Sequence, residues 1–509
     1  SQTSHLIARR LKEIGVETTI INPDIALQKI KEEKPHGIIL SGGPASVYEK
    51  NAPSVNVDIF SLGIPILGIC YGLQLTAHLL GGKAVAGKKE YGPASLKLST
   101  LVSQLSTKLP QQFTVWMSHG DEVIKLPKGF RVIGLSDGVR FAFVENKNKK
   151  IYGLQFHPEV EHTEFGLQIL RNFASICHPE LVSGSNKMLK RVQHDTGKII
   201  QNIKEIVGKR AYVIGAVSGG VDSTVAATLA AKAIGKRFIP IYVDNGLMRK
   251  GTKNHVIKIF KKIGIKPIVV NVVKEMLLRL KKITDSEKKR KIIGNFYIEI
   301  FEKVRKKLLR KKLPVSFLLQ GTIYSDVIES QGTKHAAKIK SHHNVGGLPK
   351  KMKLKLLEPM RDFYKDEVRK IGRNLGLSEE FVNKQPFPGP GFAVRIRGEV
   401  TKERLEMEKK ADEIVLFELE KAGILPNVFL SFPVMTNAYS TAVKGDGRQF
   451  GEVVALRVIE SKDIMTSTWS RLPYNILQKI SSRIVNEVPN VSRVVYDITT
   501  KPPATMEWE

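Results

Sequence analysis

The chain has 509 residues, 42% hydrophobic and 26% charged, a composition that excludes a disordered or fibrous protein and a length that predicts about three domains. Its 81 Lys and Arg against 49 Asp and Glu leave a net charge of +32, which attracts polyanions without choosing between nucleotides and nucleic acid. The only cysteines, Cys70 and Cys177, exclude a disulfide framework and a cysteine zinc cluster, and point to a reducing, cytoplasmic setting.

In the opening segment SQTSHLIARRLKEIGVE, Leu6, Ile7, Leu11 and Ile14 recur at helical spacing, without the basic-then-apolar pattern of an export signal. From His36 to Ile176, short apolar runs (HGIIL, PILGI, FTVWM, IYGLQF) alternate with Gly and Pro turns and helical stretches, the grammar of an α/β domain. The uncharged stretch from Ile64 to Leu80 is 17 residues long and is broken by Pro65, Gly68 and Gly72, so it reads as core and not as a membrane span. Cys177 to Gly197 turns polar and then basic, as a linker or insertion does.

Near Lys198 a new unit opens with the helix IIQNIKEIV, the β-branched run AYVIGAV, a glycine loop, an Ala-rich helix and the run RFIPIYV. This βαβ order implies a parallel sheet, whose ligands lie beyond the strand C-termini. Lys281 to Lys312 is dense in Lys and Arg at helical spacing but lacks the interleaved aromatics of a base-stacking platform, so it reads as a solvated helix face and not a nucleic-acid groove. From about Gly398 a long charged helix precedes strand-like VFLSFPV, EVVALRVIES and SRVVYDITT, a small α+β texture. The expected division is 1–176, a linker at 177–197, then 198–397 and 398–509: an α/β fold class of two α/β units and a small C-terminal α+β unit, with neither membrane nor nucleic acid as partner.

GICYG places Cys70 between an apolar run and a helix, with Gly68 and Gly72 two residues to either side. A nucleophile on a sharp strand-to-helix turn needs small neighbours, because the backbone is strained and the side chain must project freely. In GLQFHPEVEHT, His157 and Glu159 are two residues apart, and in an extended segment such positions share a face, so the carboxylate can orient an imidazole acting as base for Cys70. LSGGPAS follows the run HGIIL and offers backbone N–H groups of Gly42 and Gly43 to a developing oxyanion. Together these segments resemble the triad-type glutamine amidotransferases, which hydrolyse glutamine to glutamate and ammonia. The resemblance extends to EYG at Glu90 and to SHGDEV at Ser118. It implies Cys70, His157 and Glu159 as the catalytic triad, and Gly42, Gly43, Gln74, His119 and Asp121 as oxyanion and glutamine contacts. The opening strand usual in that family, ending Asp-Phe-Gly, does not precede Ser1, so a sheet one strand short is expected.

VSGGVDST, from Val217 to Thr224, lies between a β-branched run and a helix and lacks the Gly-Lys-Ser/Thr of a Walker loop. Its small residues and the helix N-terminus can wrap a phosphate, with Asp222 and Ser223 within reach of Mg²⁺. In this context the segment resembles the pyrophosphate loop of the ATP pyrophosphatases, which adenylate an acceptor. That implies ATP contacts at Ser218, Gly219, Gly220, Val221, Asp222, Ser223, Thr224 and Val243, with Asp222 as metal ligand. The loop alone leaves several acceptors open, tRNA bases among them.

Later segments, namely QGTIYSDVIES, IKSHHNVGGLP, KDEVRKIG, PFPGPG and the terminal VVYDITTKPPATMEWE, resemble the glutamine-hydrolysing GMP synthase family over nearly the whole chain. The resemblance implies a mobile lid carrying Lys340, His342, His343 and Lys365. It also implies xanthosine monophosphate contacts at Arg290, Asp366, Lys501 and Glu507. The implied substrates are glutamine, ATP and xanthosine monophosphate, with Mg²⁺ as cofactor and a homodimer formed by the C-terminal unit. A tRNA-modifying pyrophosphatase is the alternative, disfavoured because no thiouridylase-type cysteine pair is present and sulfur transfer has no use for a glutaminase.

Overall fold

The stripe of Leu6, Ile7 and Leu11 is buried on a helix, α1 (Gln2–Glu13), in the computed structural model. Described are residues 2–99, 103–178, 188–324, 326–327, 354–444, 447–461 and 466–508, with all their side chains except those of Gln2, Lys88, 188–195 and Lys444. Among the described residues three sheets form.

The first sheet holds β1 (Ile38–Leu40), β2 (Ile66–Ile69), β3 (Lys83–Leu98), β4 (Gln112–Lys125), β5 (Arg131–Ser136), β6 (Phe143–Asn146) and β7 (Ile151–Leu154), in the order β1-β2-β7-β6-β5-β3-β4. β1, β2 and β7 run parallel, and the remaining pairs are antiparallel. β1 is an edge that pairs with β2 alone among the described residues, and residues 16–22 form no strand. The continuous burial of Ile66–Ile69 and Ile151–Leu154 follows from helices on both faces: α1 and α4 (Gly166–Cys177) on one, α3 (Tyr71–Leu79) on the other.

The second sheet, β10-β9-β8-β11-β12, is parallel throughout, as the βαβ order predicts. It is built from β8 (Tyr212–Ala216), β9 (Phe238–Asp244), β10 (Ile268–Asn271), β11 (Val315–Leu319) and β12 (Lys355–Leu357). Helix α6 (Val221–Ile234) is buried along most of its length, which explains its run of alanines: only a small side chain fits where a helix meets neighbours all round. The third sheet pairs β13 (Leu430–Lys444) with β14 (Gly447–Glu460), and β14 with β15 (Thr468–Trp469) and, in parallel, β16 (Val491–Tyr496). Its core is continuous with one face of the second sheet: Ile214, Phe296, Phe392, Val415 and Leu456 belong to one buried cluster.

Two expectations change. The helix expected from Lys198 begins at Met188, as α5 (Met188–Val207), within the segment expected to be a linker. Leu189, Val192, Thr196, Ile199, Ile203 and Val207 keep helical spacing through Gly197, and one interior glycine, worth about 1 kcal/mol, is outweighed by burial of Ile199, Ile203 and Val207 against α6. The basic helix α9 (Ser286–Arg310) is not solvated throughout, because Lys289 is fully buried and its Nζ donates to the carbonyls of Ala393 (3.1 Å) and Ile396 (2.6 Å). No helix among the described residues is long and apolar enough to cross a membrane.

Lys289→Met should orphan two buried carbonyls and destabilise the chain by about 2 to 4 kcal/mol, whereas Lys288→Met, on the exposed face, should change stability by less than about 0.5 kcal/mol. Thermal unfolding of the two variants beside the parent checks this, and equal midpoints would refute it.

Candidate active sites

Cys70 sits at the junction of β2 and α3 with φ 52° and ψ −107°, a strained backbone held because the flanking strand and helix over-determine it. Its N–H donates to Leu154 (2.7 Å). Both neighbouring glycines are required by space: a Cβ on Gly68 would lie 2.6 Å from the Gly72 carbonyl oxygen, and one on Gly72 would overlap the Leu40 carbonyl. His157 Nδ1 meets Glu159 Oε1 at 2.7 Å, both residues buried. Burial opposes charge on His157, but Glu159 and then Cys70 outweigh it and hold its pKa well above 6.5. Gly42 closes the group, since a Cβ there would come within 2.9 Å of His157 Cε1 and 3.6 Å of Cys70 Cβ. A Cβ on Gly43 would meet the Tyr71 side chain at 3.8 Å, an ordinary contact.

Gln74, one turn after Cys70 on α3, donates through Nε2 to the Asp121 carbonyl (2.8 Å). The Asp121 carboxylate accepts from the Tyr48 hydroxyl (3.0 Å). His119 pairs across β3 and β4 with Glu90, 3.4 Å away, and its pKa is lowered chiefly by burial, so the neutral ring is favoured. Gln155 was not singled out from sequence. It is fully buried and its Nε2 donates towards Cys70 Sγ (3.7 Å). The alternation that joins His157 to Glu159 was the available signal, because Gln155 lies two residues earlier in the same segment.

Helix α1 touches both halves of the molecule. On one side Thr3 Oγ1 donates to the Gly42 carbonyl (3.3 Å), Ser4 meets Ser41 (2.7 Å) and Arg10 binds the Glu159 carbonyl (2.9 Å) and the Glu161 carboxylate (2.5 Å). On the other, Arg9 Nη2 donates to Asp366 Oδ1 (2.6 Å) and lies over the Tyr364 ring, while His5 bonds the Tyr324 hydroxyl.

The second site follows β8. Gly219 (φ 82°) and Gly220 turn the chain into α6, and the Ser218 and Ser223 hydroxyls meet at 3.1 Å across the loop. Lys365 Nζ donates to both oxygens of Asp222 (2.7 and 2.5 Å). Gly321 must be glycine, because a Cβ there would lie 2.8 Å from the Ser223 nitrogen. Together they open onto a cavity of about 370 Å³ walled by Ser218 to Ser223, Val243, Arg290, Lys365 and Glu507. Thr224, expected beside them, is buried in α6 off this wall. Asp366, expected at the nucleotide, is also off the wall, because Arg9 draws it to α1. Lys501 lies off the wall too, its backbone bridged to Ser467. Lys340, His342 and His343 lie outside the described residues. Arg249, Lys384 and Gln385 line the cavity without having been expected to, and Gln385 is held by the Ser431 N–H (3.1 Å) and hydroxyl (3.0 Å).

Glu159→Gln should leave burial unopposed by a carboxylate and lower the pKa of His157. A raised folded-state pKa stabilises the fold fully below the unfolded value of about 6.5 and loses that contribution as pH rises through the folded value. The midpoint difference between parent and variant should therefore be largest at acid pH and shrink towards alkaline pH. A pH-independent difference would contradict the assignment.

Residues 1–177 match the class-I glutamine amidotransferase family, residues 193–300 the NAD synthase family, and residues 417–508 the GMP synthase C-terminal domain. The chain is 49% identical over 511 residues to the glutamine-hydrolysing GMP synthase of Aquifex aeolicus, covering 100% of this chain and 98% of that protein. It is 49% identical over 512 residues to that of Thermosipho africanus and 48% to that of Campylobacter jejuni, with the same coverage. The chain belongs to the glutamine-hydrolysing GMP synthase family of ligases.

Proposed function

We propose that glutamine-dependent GMP synthesis, the activity of this family and of this chain, is divided between the two centres as follows. Cys70 Sγ attacks the glutamine amide, His157 passes the proton to the leaving ammonia, Glu159 keeps the ring oriented, and water then hydrolyses the γ-glutamyl thioester to release glutamate and the free thiol. Gly42 and Gly43 serve the oxyanion, and Gln74, His119 and Asp121 serve the substrate glutamine. Ammonia then reaches the second centre, where O2 of the xanthine base attacks the α-phosphorus of ATP and pyrophosphate leaves, because a carbonyl oxygen leaves poorly until it is a phosphoester. Ammonia attacks C2, AMP departs and GMP remains.

The observation that carries this reading is the cavity that joins the Ser218–Ser223 loop to Arg290 and Glu507, since adenylation requires ATP and acceptor in one enclosure. The loop with Val243 holds ATP, Lys365 serves the reacting phosphates, Lys340, His342 and His343 supply the lid cations that the family resemblance implies, and Arg290 and Glu507 take the nucleotide. Lys501, on the same terminal tail as Glu507, serves the 5′-phosphate. Asp366 is left out because Arg9 occupies it. Asp222 accepts from Lys365 Nζ through both oxygens, and its remaining lone pairs fit Mg²⁺, which takes one or two carboxylates beside substrate phosphates; bound there, the ion would neutralise phosphate charge. Two copies associate through the third sheet, where Tyr439 and Phe450 stack on an exposed hairpin face with Val443 also in solvent. The tRNA-modifying alternative is not favoured, because every family match leads elsewhere.

Cys70→Ala should abolish GMP formation from glutamine and retain formation from ammonia, whereas Asp222→Ala should end both. Assays with each nitrogen source, with pyrophosphate release as second readout, check the division. Loss of both activities in a folded Cys70→Ala variant would break it.

A further inference from the structure

Behind the nucleotide end of the cavity lies a buried cation that the mechanism above does not use. Arg395 has no exposed surface and follows the turn Gly391–Val394. Its Nε donates to one oxygen of Glu507 (3.1 Å) and its Nη2 to the other (3.0 Å), a fork matched to a carboxylate. Its Nη1 stands 3.6 Å from Asp412, whose carboxylate is held by Arg249 at 2.6 and 2.8 Å. The guanidinium lies 4.1 Å from the Phe432 ring centre and 5.0 Å from that of Phe387. Lys289 ties down the carbonyls of Ala393 and Ile396 on either side.

A charge taken wholly out of water is a poor source of stability, and apolar residues of similar volume often serve as well or better. The arrangement gives direction instead. Glu507 lines the cavity while Arg395 occupies one acceptor position on each of its oxygens from behind, leaving the remaining lone pairs for donors in front. Packing against two aromatic rings and the clamped turn leave the fork little freedom. Buried Glu408 completes the surroundings. Burial pushes its pKa well up, so its neutral form is favoured and it competes weakly with Glu507 for the cation.

We propose that Arg395 is a positioning residue for the nucleotide acceptor: by holding both oxygens of Glu507, it fixes the carboxylate plane that receives N–H donors of the oxopurine ring. This rests on the reading of Glu507 as a nucleotide contact, and the test separates the two. Arg395→Lys keeps the charge but loses the fork. Steady-state rates with ammonia as nitrogen source are measured for Arg395→Lys, Glu507→Gln and the double variant, varying xanthosine monophosphate and ATP separately. Arg395→Lys should raise the KM for xanthosine monophosphate about tenfold and that for ATP less than about twofold, as expected for one weakened charge-assisted hydrogen bond. The double variant should be no worse than Glu507→Gln, because the two residues act as one unit. An unchanged nucleotide KM in Glu507→Gln would overturn the reading of Glu507 itself. A raised nucleotide KM there with none in Arg395→Lys, or equal shifts for both substrates in Arg395→Lys, would overturn the positioning role. Should Arg395→Lys fail to fold, Arg395→Gln, which keeps hydrogen-bond donors at the site without the guanidinium fork, carries the same comparison with the same expected split.

Discussion

A parallel strand that runs straight into a helix leaves no room for side chains where the two meet, and both reactive loops are built within that constraint. At the first, Gly68 and Gly72 let β2, Cys70 and α3 close to contact, and the strained backbone of Cys70 results. At the second, Gly219 and Gly220 turn β8 into α6, and Gly321 on the neighbouring segment lets that backbone approach the Ser223 nitrogen. The same geometry serves different chemistries because of what each turn presents: a sulfur backed by an imidazole and carboxylate in one, and polar groups and a helix N-terminus with no nucleophilic cysteine in the other.

Two centres on separate sheets need a mechanical connection, and α1 supplies one. Its apolar stripe anchors it in the first core, while its polar residues reach the Gly42 loop on one side and Tyr324, Tyr364 and Asp366 on the other. Asp366 is next to Lys365, which holds Asp222 of the phosphate loop. One rigid helix therefore contacts segments adjoining both sites. A further contact, His162 to Thr466 at 2.8 Å, ties the first unit to the third.

The parts legible in the sequence were those whose cause is local. The glycine spacing about Cys70, the two-residue step from His157 to Glu159 and the strand-loop-helix context of Ser218 to Ser223 each follow from a few adjacent residues, and the parallel sheet follows from the order of runs. What stayed hidden depends on residues far apart in the chain. Arg395 and Glu507 are 112 positions apart, and Arg9 meets Asp366 across 357, so nothing near Asp366 marks it as a partner of α1 and not of the nucleotide. Lys289 looked like one more surface lysine because the carbonyls that bury it belong to another segment. The early start of α5 was obscured by Gly197, a residue that weakens a helix in isolation but is tolerated where Ile199 and Ile203 pack.

The most direct test of the account follows the oxygen at C2 of the purine. Xanthosine monophosphate labelled there with ¹⁸O is converted with unlabelled ATP and ammonia, and the AMP, pyrophosphate and water are analysed by mass spectrometry. Adenylation at the Ser218–Ser223 centre predicts that the label leaves in the phosphoryl group of AMP, with none in pyrophosphate or water. Unlabelled AMP, with the oxygen recovered in water or pyrophosphate, would contradict it.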